Sequence, residues 1–310
     1  MPNYKNVVLF YNTDSGQSKK GRQLDPIVAH FEKHGIPHKV FKIPAPGENI
    51  QETVEKIASD HADLVIAAGG DGTISLIGNK LIKTEIPLAI LPLGTGNLLA
   101  QDLKIPLNLE KALSLITADN PKTIMMDTIK LEDRSYLLNV SVGVTPKVMI
   151  KTRAKEKQRY GIFAYVVNFI QQFFGLKLNR YFVEYDNKNI TFRASEVLIT
   201  NGQSTGVENL KWSENITIND GRLDLFIIRA TNFIDVIRLV FSIFTKKNEK
   251  NDVMKYIQFS DYCRIETQTP LPAQADGDPI GETPVEIRVI PESLKVIVGE
   301  NFKISSKHKE

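Results

Sequence analysis

The chain has 310 residues, a length that accommodates two domains of ordinary size. Its 39 Lys and Arg residues nearly balance its 36 Asp and Glu residues, which argues against a dedicated nucleic-acid-binding protein. Hydrophobic residues make up 42% and charged residues 24%, so the composition is globular and excludes a largely disordered chain.

The cysteine content and the apolar stretches indicate where in the cell the protein is expected. Cys263 is the one cysteine, which excludes an internal disulfide and is typical of a reducing environment. The first residues lead directly into a predicted strand, so no secretory signal is expected. The longest apolar stretch, residues 160–178, contains Asn168, Gln171 and Gln172 and is a poor transmembrane candidate. We therefore expect a cytoplasmic protein.

The first half of the chain alternates predicted strands with predicted helices. The strands are expected at residues 6–11, 38–43, 63–68 and 86–91, and the helices at 21–34, 49–61, 74–82, 97 onward and 109–118. This alternation predicts a parallel sheet with right-handed crossovers.

The stretch Gly69-Gly70-Asp71-Gly72-Thr73 joins the third predicted strand to a helix, with Thr73 as its expected N-cap. Glycines let the backbone approach a ligand closely, and the N–H groups of a helix N-terminus favour phosphate. A carboxylate beside a bound phosphate would repel it, so Asp71 fits such a site if it organises a metal ion or accepts a proton. Taken alone, the motif is equally compatible with a turn that ends a strand and exposes an aspartate.

Two more strands end in loops of the same character. The first is followed by Asn12-Thr13-Asp14-Ser15-Gly16, and the fourth by Pro92-Leu93-Gly94-Thr95-Gly96-Asn97. Ligands of parallel sheets bind at the carboxyl ends of the strands, so the three loops are expected to converge on one site. Neither the Rossmann nor the Walker fingerprint is present, and neutral hydroxyl and amide groups are the expected phosphate ligands.

These motifs resemble those of the diacylglycerol kinase catalytic-domain family of bacterial-type lipid kinases, and more distantly those of NAD kinases. The lipid kinases and the NAD kinases share the motif found here at residues 69–73, whereas residues 92–97 are similar to the second motif of the lipid kinases. Residues 12–16, 219–224 and 276–278 are similar to three further family segments, in family order. The resemblance therefore covers nearly the whole chain.

The resemblance implies ATP as a substrate, with Mg²⁺, and names the residues that bind them. It implies ATP contacts from Asn12, Ser15, Gly16, Gly69, Gly70, Asp71, Gly72, Thr73, Gly94, Thr95 and Asn97. It also implies a structural metal held by Asp220, with the backbone carbonyls near Thr217 and Arg222.

The resemblance further implies that Asp278 occupies the position of the family's general-base glutamate. Asp276 would support it, and Asp71 would organise the metal and the phosphates. The chain departs from the family in three places: Asp278 is one methylene shorter than glutamate, Leu98 replaces an acidic residue, and residues 206–215 lack the usual glycine-rich Ala-Pro pattern.

From about residue 123 the pattern changes to predicted strands, among them residues 136–144 and 256–266, which are joined by short turns such as residues 186–189. We expect an N-terminal doubly wound parallel-sheet nucleotide-binding α/β domain, residues 1–122, followed by a mostly antiparallel β-sandwich domain, residues 123–291. Residues 292–305 are expected to return to the first domain, as the family does.

Two apolar helices, residues 160–178 and 233–245, adjoin the basic segments 151–159 and 246–250. Such pairs could contact an anionic membrane surface, but their pattern favours packing on the sandwich. The expected partner is a membrane lipid substrate, reached by peripheral contact with the inner face of the membrane; a homodimer is compatible with the sequence, and no nucleic acid is expected.

The leading hypothesis is an ATP-dependent kinase that phosphorylates a lipid hydroxyl. An NAD kinase is the second hypothesis, since it shares the glycine motif at 69–73. The third is a homologue that binds nucleotide or lipid with little or no phosphate transfer.

Overall fold

The computed structural model describes residues 4–16, 23–43, 62–143, 177–205, 211–245 and 252–304. Within them the first unit contains four strands and four helices. Their bounds are β1 Val7–Asn12, α1 Leu24–Lys33, β2 His38–Ile43, β3 Leu64–Gly69, α2 Asp71–Leu81, β4 Leu88–Pro92, α3 Leu98–Asp102 and α4 Leu109–Ile116.

The four strands of the first unit form a parallel sheet in the order β2-β1-β3-β4. Every residue of β3 and β4 is buried, which explains why these strands are continuous apolar runs. Helix α2 packs closely against the second unit at Gly78, where a Cβ would lie 2.7 Å from Cδ1 of Leu137. The predicted parallel sheet is confirmed.

The second unit is mostly β-structure. Its elements are β5 Thr123–Leu131, β6 Arg134–Tyr136, β7 Asn139–Gly143, β8 Asn179–Tyr185, β9 Lys188–Ala194, β10 Glu196–Thr200, β11 Leu223–Ile228, α5 Phe233–Thr245, β12 Met254–Phe259, β13 Tyr262–Thr267, β14 Pro272–Ala275, β15 Asp278–Glu282 and β16 Val285–Ile297.

Strand β16 joins the two units. It is antiparallel to β5 and β13, and near its end Val296 pairs in parallel with Leu88 of β4. One sheet therefore continues in the order β2-β1-β3-β4-β16-β13-β8-β9, while β12-β11-β10-β7-β14-β15 form a second, antiparallel sheet. Apolar side chains of both sheets share one core, which includes Val142, Leu225 and Ile287. The predicted α/β domain followed by a β-sandwich is confirmed.

Carboxylate side chains interrupt two strands that the sequence predicts as continuous. The predicted strand 136–144 breaks before β7 because the N–H groups of Leu137 and Leu138 donate to Asp276. The predicted strand 256–266 is instead β12 and β13, since the turn between them donates its N–H groups to Asp186. In both places a carboxylate takes hydrogen bonds that a ladder would otherwise need.

Several predicted features lie outside the described residues. They are the helix at 49–61, the segments 151–159 and 246–250, and the apolar helix at 160–178. In the part of the chain that the structure describes, no helix combines the length and apolar content needed to cross a bilayer.

Candidate active site

The loops after β1, β3 and β4 meet at the carboxyl edge of the parallel sheet. The side-chain amide of Asn12 donates to Oγ1 of Thr73 at 2.7 Å and so links the first loop to α2. A Cβ on Gly16 would lie 3.2 Å from Oγ1 of Thr95, which places the first loop against the third. Ser15 is buried at this junction. The structure thus brings together the three loops that the sequence singles out.

The second and third loops touch through their backbones. A Cβ on Gly94 would lie 2.5 Å from Cα of Gly70, a separation that side chains do not tolerate. Glycine at these positions therefore lets two peptide segments approach within van der Waals contact. The two loops therefore meet at the carboxyl edge of the sheet, the place where glycine turns commonly bind anions.

Asn97 closes the third loop. Its side-chain oxygen accepts from the N–H of Gly94 at 2.9 Å, and its amide donates to the carbonyl of Gly94 at 3.0 Å. The residue itself has φ of 48°, a left-handed conformation that asparagine tolerates better than most residues. The loop is consequently held in shape before any ligand arrives.

Helix α2 begins at Asp71, with Gly70 as its N-cap. The prediction that Thr73 caps this helix is therefore wrong. The hydroxyl of Thr73 accepts from Asn12 instead, because the turn is tight enough for the helix to begin three residues earlier.

The Asp71 carboxylate lies between the third loop and the second unit. Burial raises its pKa, and the nearby charge of Asp276 adds to this rise. The N–H groups that begin α3 oppose it, and Leu99 donates to Oδ1 of Asp71 at 3.4 Å. The site thus holds a carboxylate whose charge the protein compensates only in part.

Asp276 connects the second unit to α2. Its carboxylate accepts from the Ser75 hydroxyl at 2.6 Å and from the N–H groups of Leu137, Leu138 and Asn139 at 2.8 to 2.9 Å. These contacts use its oxygens to hold two segments in place, which suits a positioning residue. Burial still raises its pKa.

Asp278 begins β15, two residues beyond Asp276, and its side chain is exposed. Tyr136 lies near both carboxylates. Burial raises the pKa of the Tyr136 hydroxyl, the two carboxylates raise it further, and Arg134 opposes them. An aromatic hydroxyl and a cation therefore accompany the acidic turn, residues 276–278.

Four residues of this region were missed from the sequence: Ser75, Asn79, Arg134 and Tyr136. Asn79 donates to the carbonyl of Ser135 at 2.6 Å, beside the contact between Ser75 and Asp276. Together with Asp71, Ser75 and Asn79 recur every four residues along one face of α2, and that spacing could have identified them. Nothing local in the sequence distinguishes Arg134 or Tyr136.

The residues predicted to hold a structural metal form a separate turn. Oδ2 of Asp220 accepts from the Thr217 hydroxyl at 2.8 Å, and Oδ1 accepts from the N–H of Arg222 at 3.0 Å. Burial raises the pKa of Asp220 and also raises those of Asp127 and Asp224 to about 6, with repulsion from Asp220 contributing to both.

This turn accumulates negative charge without forming a complete metal cage. Oδ2 of Asp224 is buried and accepts no hydrogen bond from the described residues. Across the described ranges, no group of three or more His, Cys, Asp or Glu side chains is arranged to hold a metal ion. A cation here would therefore depend on peptide carbonyls and water in addition to Asp220.

The fold and the loop cluster define a two-unit protein, an α/β domain and a β-sandwich, with glycine loops at the seam. The family model described as diacylglycerol kinase catalytic domain matches residues 6–129. The model described as YegS C-terminal NAD kinase beta sandwich-like domain matches residues 139–298, more than half of the chain. The chain belongs to the diacylglycerol kinase catalytic-domain family of lipid kinases, as the motifs predict.

Individual relatives cover almost all of the chain. An uncharacterised protein of Synechocystis sp. is 29% identical in an alignment of 301 positions that covers 93% of this chain and 69% of that protein. A Staphylococcus aureus protein named diacylglycerol kinase is 25% identical in an alignment of 312 positions that covers 98% of this chain and 97% of that protein. The structure of a diacylglycerol kinase from Bacillus anthracis has a TM-score of 0.79 at 23% identity, covering 97% and 99% of the two chains, and so shares the fold.

A buried carboxylate at the end of α3 links the two units. Asp102 accepts from the backbone N–H of Ser204 at 2.9 Å and from its hydroxyl at 2.7 Å. Burial raises the pKa of Asp102 to about 6.

Replacing Asp102 with Asn should reduce the pH dependence of stability. Between about pH 4 and pH 6 the folded protein retains a proton that the unfolded chain releases, so the free energy of unfolding falls as the pH rises. Asn cannot ionise, and the variant should lose up to about 2 to 3 kcal/mol of this fall. Urea unfolding at about pH 4 and about pH 7 measures the change. The exposed Asp252→Asn variant should behave as the wild type; an unchanged slope in Asp102→Asn would contradict the assignment.

Proposed function

We propose that this protein is an ATP-dependent lipid kinase that transfers the γ-phosphoryl group to a lipid hydroxyl. The observation that carries the proposal is the meeting of three phosphate-type loops with an acidic turn from the other unit. The contact of Asp276 with Ser75 holds that turn beside the helix that begins at Asp71. Membership of a lipid kinase family supports a lipid as the acceptor.

ATP would place its phosphates over the touching glycines of the second and third loops. Backbone N–H groups of the three loops, together with the side chains of Asn12, Ser15 and Thr95, would donate to the phosphate oxygens. Mg²⁺ bound with ATP would neutralise part of the phosphate charge, and Asp71 is the carboxylate placed to hold it. The raised pKa of Asp71 is consistent with a group that gains from a neighbouring cation.

The transfer step needs an acceptor for one proton. The lipid hydroxyl oxygen forms a bond to the γ-phosphorus, the bond from that phosphorus to the bridging oxygen of ADP breaks, and the hydroxyl proton leaves. Asp278 is exposed at the seam and can take that proton, while Asp276 fixes the turn that presents it. Catalysis then rests on positioning and charge compensation.

Removing either carboxylate should abolish most of the turnover. Asp71→Asn and Asp278→Asn are expected to lower kcat at least about a hundredfold, because each removes a group that acts on the transferred phosphate or on the proton. Incubation with γ-labelled ATP and a total lipid extract, followed by solvent extraction and mass spectrometry, measures the labelled lipid. Labelled NADP formed after addition of NAD would favour an NAD kinase, and nucleotide binding without product would favour a non-catalytic homologue.

Two further variants sharpen this test. Asp278→Glu restores the family's side chain and should retain activity, whereas the exposed Asp252→Asn should leave it unchanged. Full activity of both Asp71→Asn and Asp278→Asn, with the fold preserved, would refute the proposed roles.

We also propose that the turn at Asp220 binds one hydrated divalent cation. The unpartnered Oδ2 of Asp224 and the repulsion among three carboxylates fit a positive charge at this position. Asp220 and the peptide carbonyls near Thr217 and Arg222 would hold the cation, and its role would be to stabilise the turn.

A divalent cation should therefore stabilise the protein through this turn. Adding Mg²⁺ or Ca²⁺ after dialysis against chelator is expected to raise Tm by a few degrees in the wild type and in Asp252→Asn. Asp220→Asn should lose that gain. An equal rise of Tm in Asp220→Asn would show that the ion acts elsewhere.

Helix α5 supplies a surface for peripheral membrane contact. Ile234, Ile237 and Phe241 recur on one face and are 60%, 50% and 66% exposed. Arg238 is also exposed between them, and the sequence continues into Lys246 and Lys247. Apolar side chains flanked by cations suit the interface of an anionic bilayer. We propose that this face approaches the membrane that holds the lipid substrate.

Polar substitutions on this face should weaken vesicle binding. The double variant Ile237→Gln with Phe241→Gln is expected to bind vesicles of phosphatidylglycerol at least about fivefold more weakly. Each substitution replaces an apolar side chain that would be buried in the bilayer interface. Cosedimentation measures the bound fraction. Leu107→Gln, at an exposed leucine in the first unit, is the matched control. Unaltered binding of the double variant would locate the contact on another surface.

A further inference from the structure

A cavity of about 360 Å³ lies at the seam between the two units, away from the residues assigned to ATP and to the lipid hydroxyl. The end of α3, the residues that follow it and the chain after β16 form one side, and residues 202–203 and 211–218 form the other. Its size is within the range of sites that bind small molecules. Its walls include Ile216 and Phe302, so part of the lining is apolar.

Three lysines, Lys104, Lys211 and Lys303, line this cavity. Burial lowers the pKa of Lys104 and the nearby charge of Lys211 lowers it further, while Asp102 and Glu214 oppose this shift. Lys104 and Lys211 thus line one cavity from different units, and an anion between their ammonium groups would stabilise both charges.

The two acidic residues of the lining, Asp102 and Glu214, do not use all the donors of the lysines. Asp102 already accepts two hydrogen bonds from Ser204. Glu214 accepts one hydrogen bond from Lys211 at 2.8 Å, and Lys104 gives one to the carbonyl of Gln101 at 3.3 Å. Because an ammonium group has three donors, each of the two lysines keeps donors for a ligand.

Gln203 adds a different requirement. Its amide donates to the carbonyl of Ile216 at 2.9 Å, while its Oε1 is buried and accepts no hydrogen bond within the described part of the chain. A buried acceptor without a donor is unfavourable, and a hydroxyl group in the cavity would satisfy it.

We infer that this cavity binds a small phosphorylated alcohol. The phosphate group lies between Lys104 and Lys211, a hydroxyl group donates to Oε1 of Gln203, and the short carbon chain lies against the apolar wall. Because Lys104 belongs to the first unit and Lys211 to the second, the ligand ties the two units together. The inference concerns binding alone and does not depend on phosphate transfer at the loops.

Isothermal titration of the full chain with sn-glycerol 3-phosphate tests the inference. The wild type should bind it, and Lys211→Gln should bind it at least about tenfold more weakly, since one of two phosphate ligands is lost. Lys211 is partly exposed, so this substitution should leave the fold intact. Lys188→Gln, in the remote β8–β9 hairpin, is the matched control and should bind as the wild type does. No binding by the wild type, or equal binding by Lys211→Gln, would overturn the site.

The hydroxyl contact has its own test in the ligand. Propyl phosphate has the same chain length without the hydroxyl groups and should bind about tenfold more weakly than glycerol phosphate, because Oε1 of Gln203 stays unpaired. Equal affinity of the two compounds would overturn the assignment of a hydroxyl. Binding that ADP displaces competitively would place the phosphate at the loops and overturn the cavity site, whether or not the protein proves to be a kinase.

Discussion

The hydrogen bonds to one carboxylate, that of Asp276, hold the two units in register. Its oxygens accept from Ser75 on α2 and from three consecutive N–H groups that precede and begin β7. A charged acceptor with several donors is stronger than an ordinary backbone contact, and the donors belong to separate parts of the chain. The helix that begins at Asp71 is therefore fixed relative to the β-sandwich, and the acidic turn is fixed relative to the glycine loops.

The same constraint places like charges close together. Burial raises the pKa of both Asp71 and Asp276, and the repulsion between the two carboxylates adds to the rise at Asp71. The structure keeps them near each other through backbone donors rather than through cations. Such an arrangement costs stability in isolation and is typical of sites whose missing positive charge arrives with a ligand.

Away from the loops, the seam is held by β16, by the contact of Asp102 with Ser204, and by the packing of Gly78 against Leu137. The cavity that Lys104 and Lys211 line also lies in this seam, and Asp102 is part of its wall. Asp102 ends α3, the short helix whose N-terminus faces Asp71. The five-residue helix α3 therefore contacts the loop site at its first turn, through Asp71, and the second unit and the cavity at its last residue, Asp102.

The sequence alone determined the parallel sheet, its three glycine loops and the sandwich that follows, because apolar periodicity and turn residues are local properties. It also determined the family, whose motifs lie in short contiguous segments. Tertiary structure decided that the Thr73 hydroxyl accepts from Asn12, where the strand before β7 breaks, and that Tyr136 and Arg134 accompany the acidic turn. Each of these depends on a partner distant in sequence, such as Asp276 for Leu137, and a local pattern carries no information about such a partner. The cavity between Lys104 and Lys211 is likewise a property of the folded chain, since its charges come from segments that only the seam brings together.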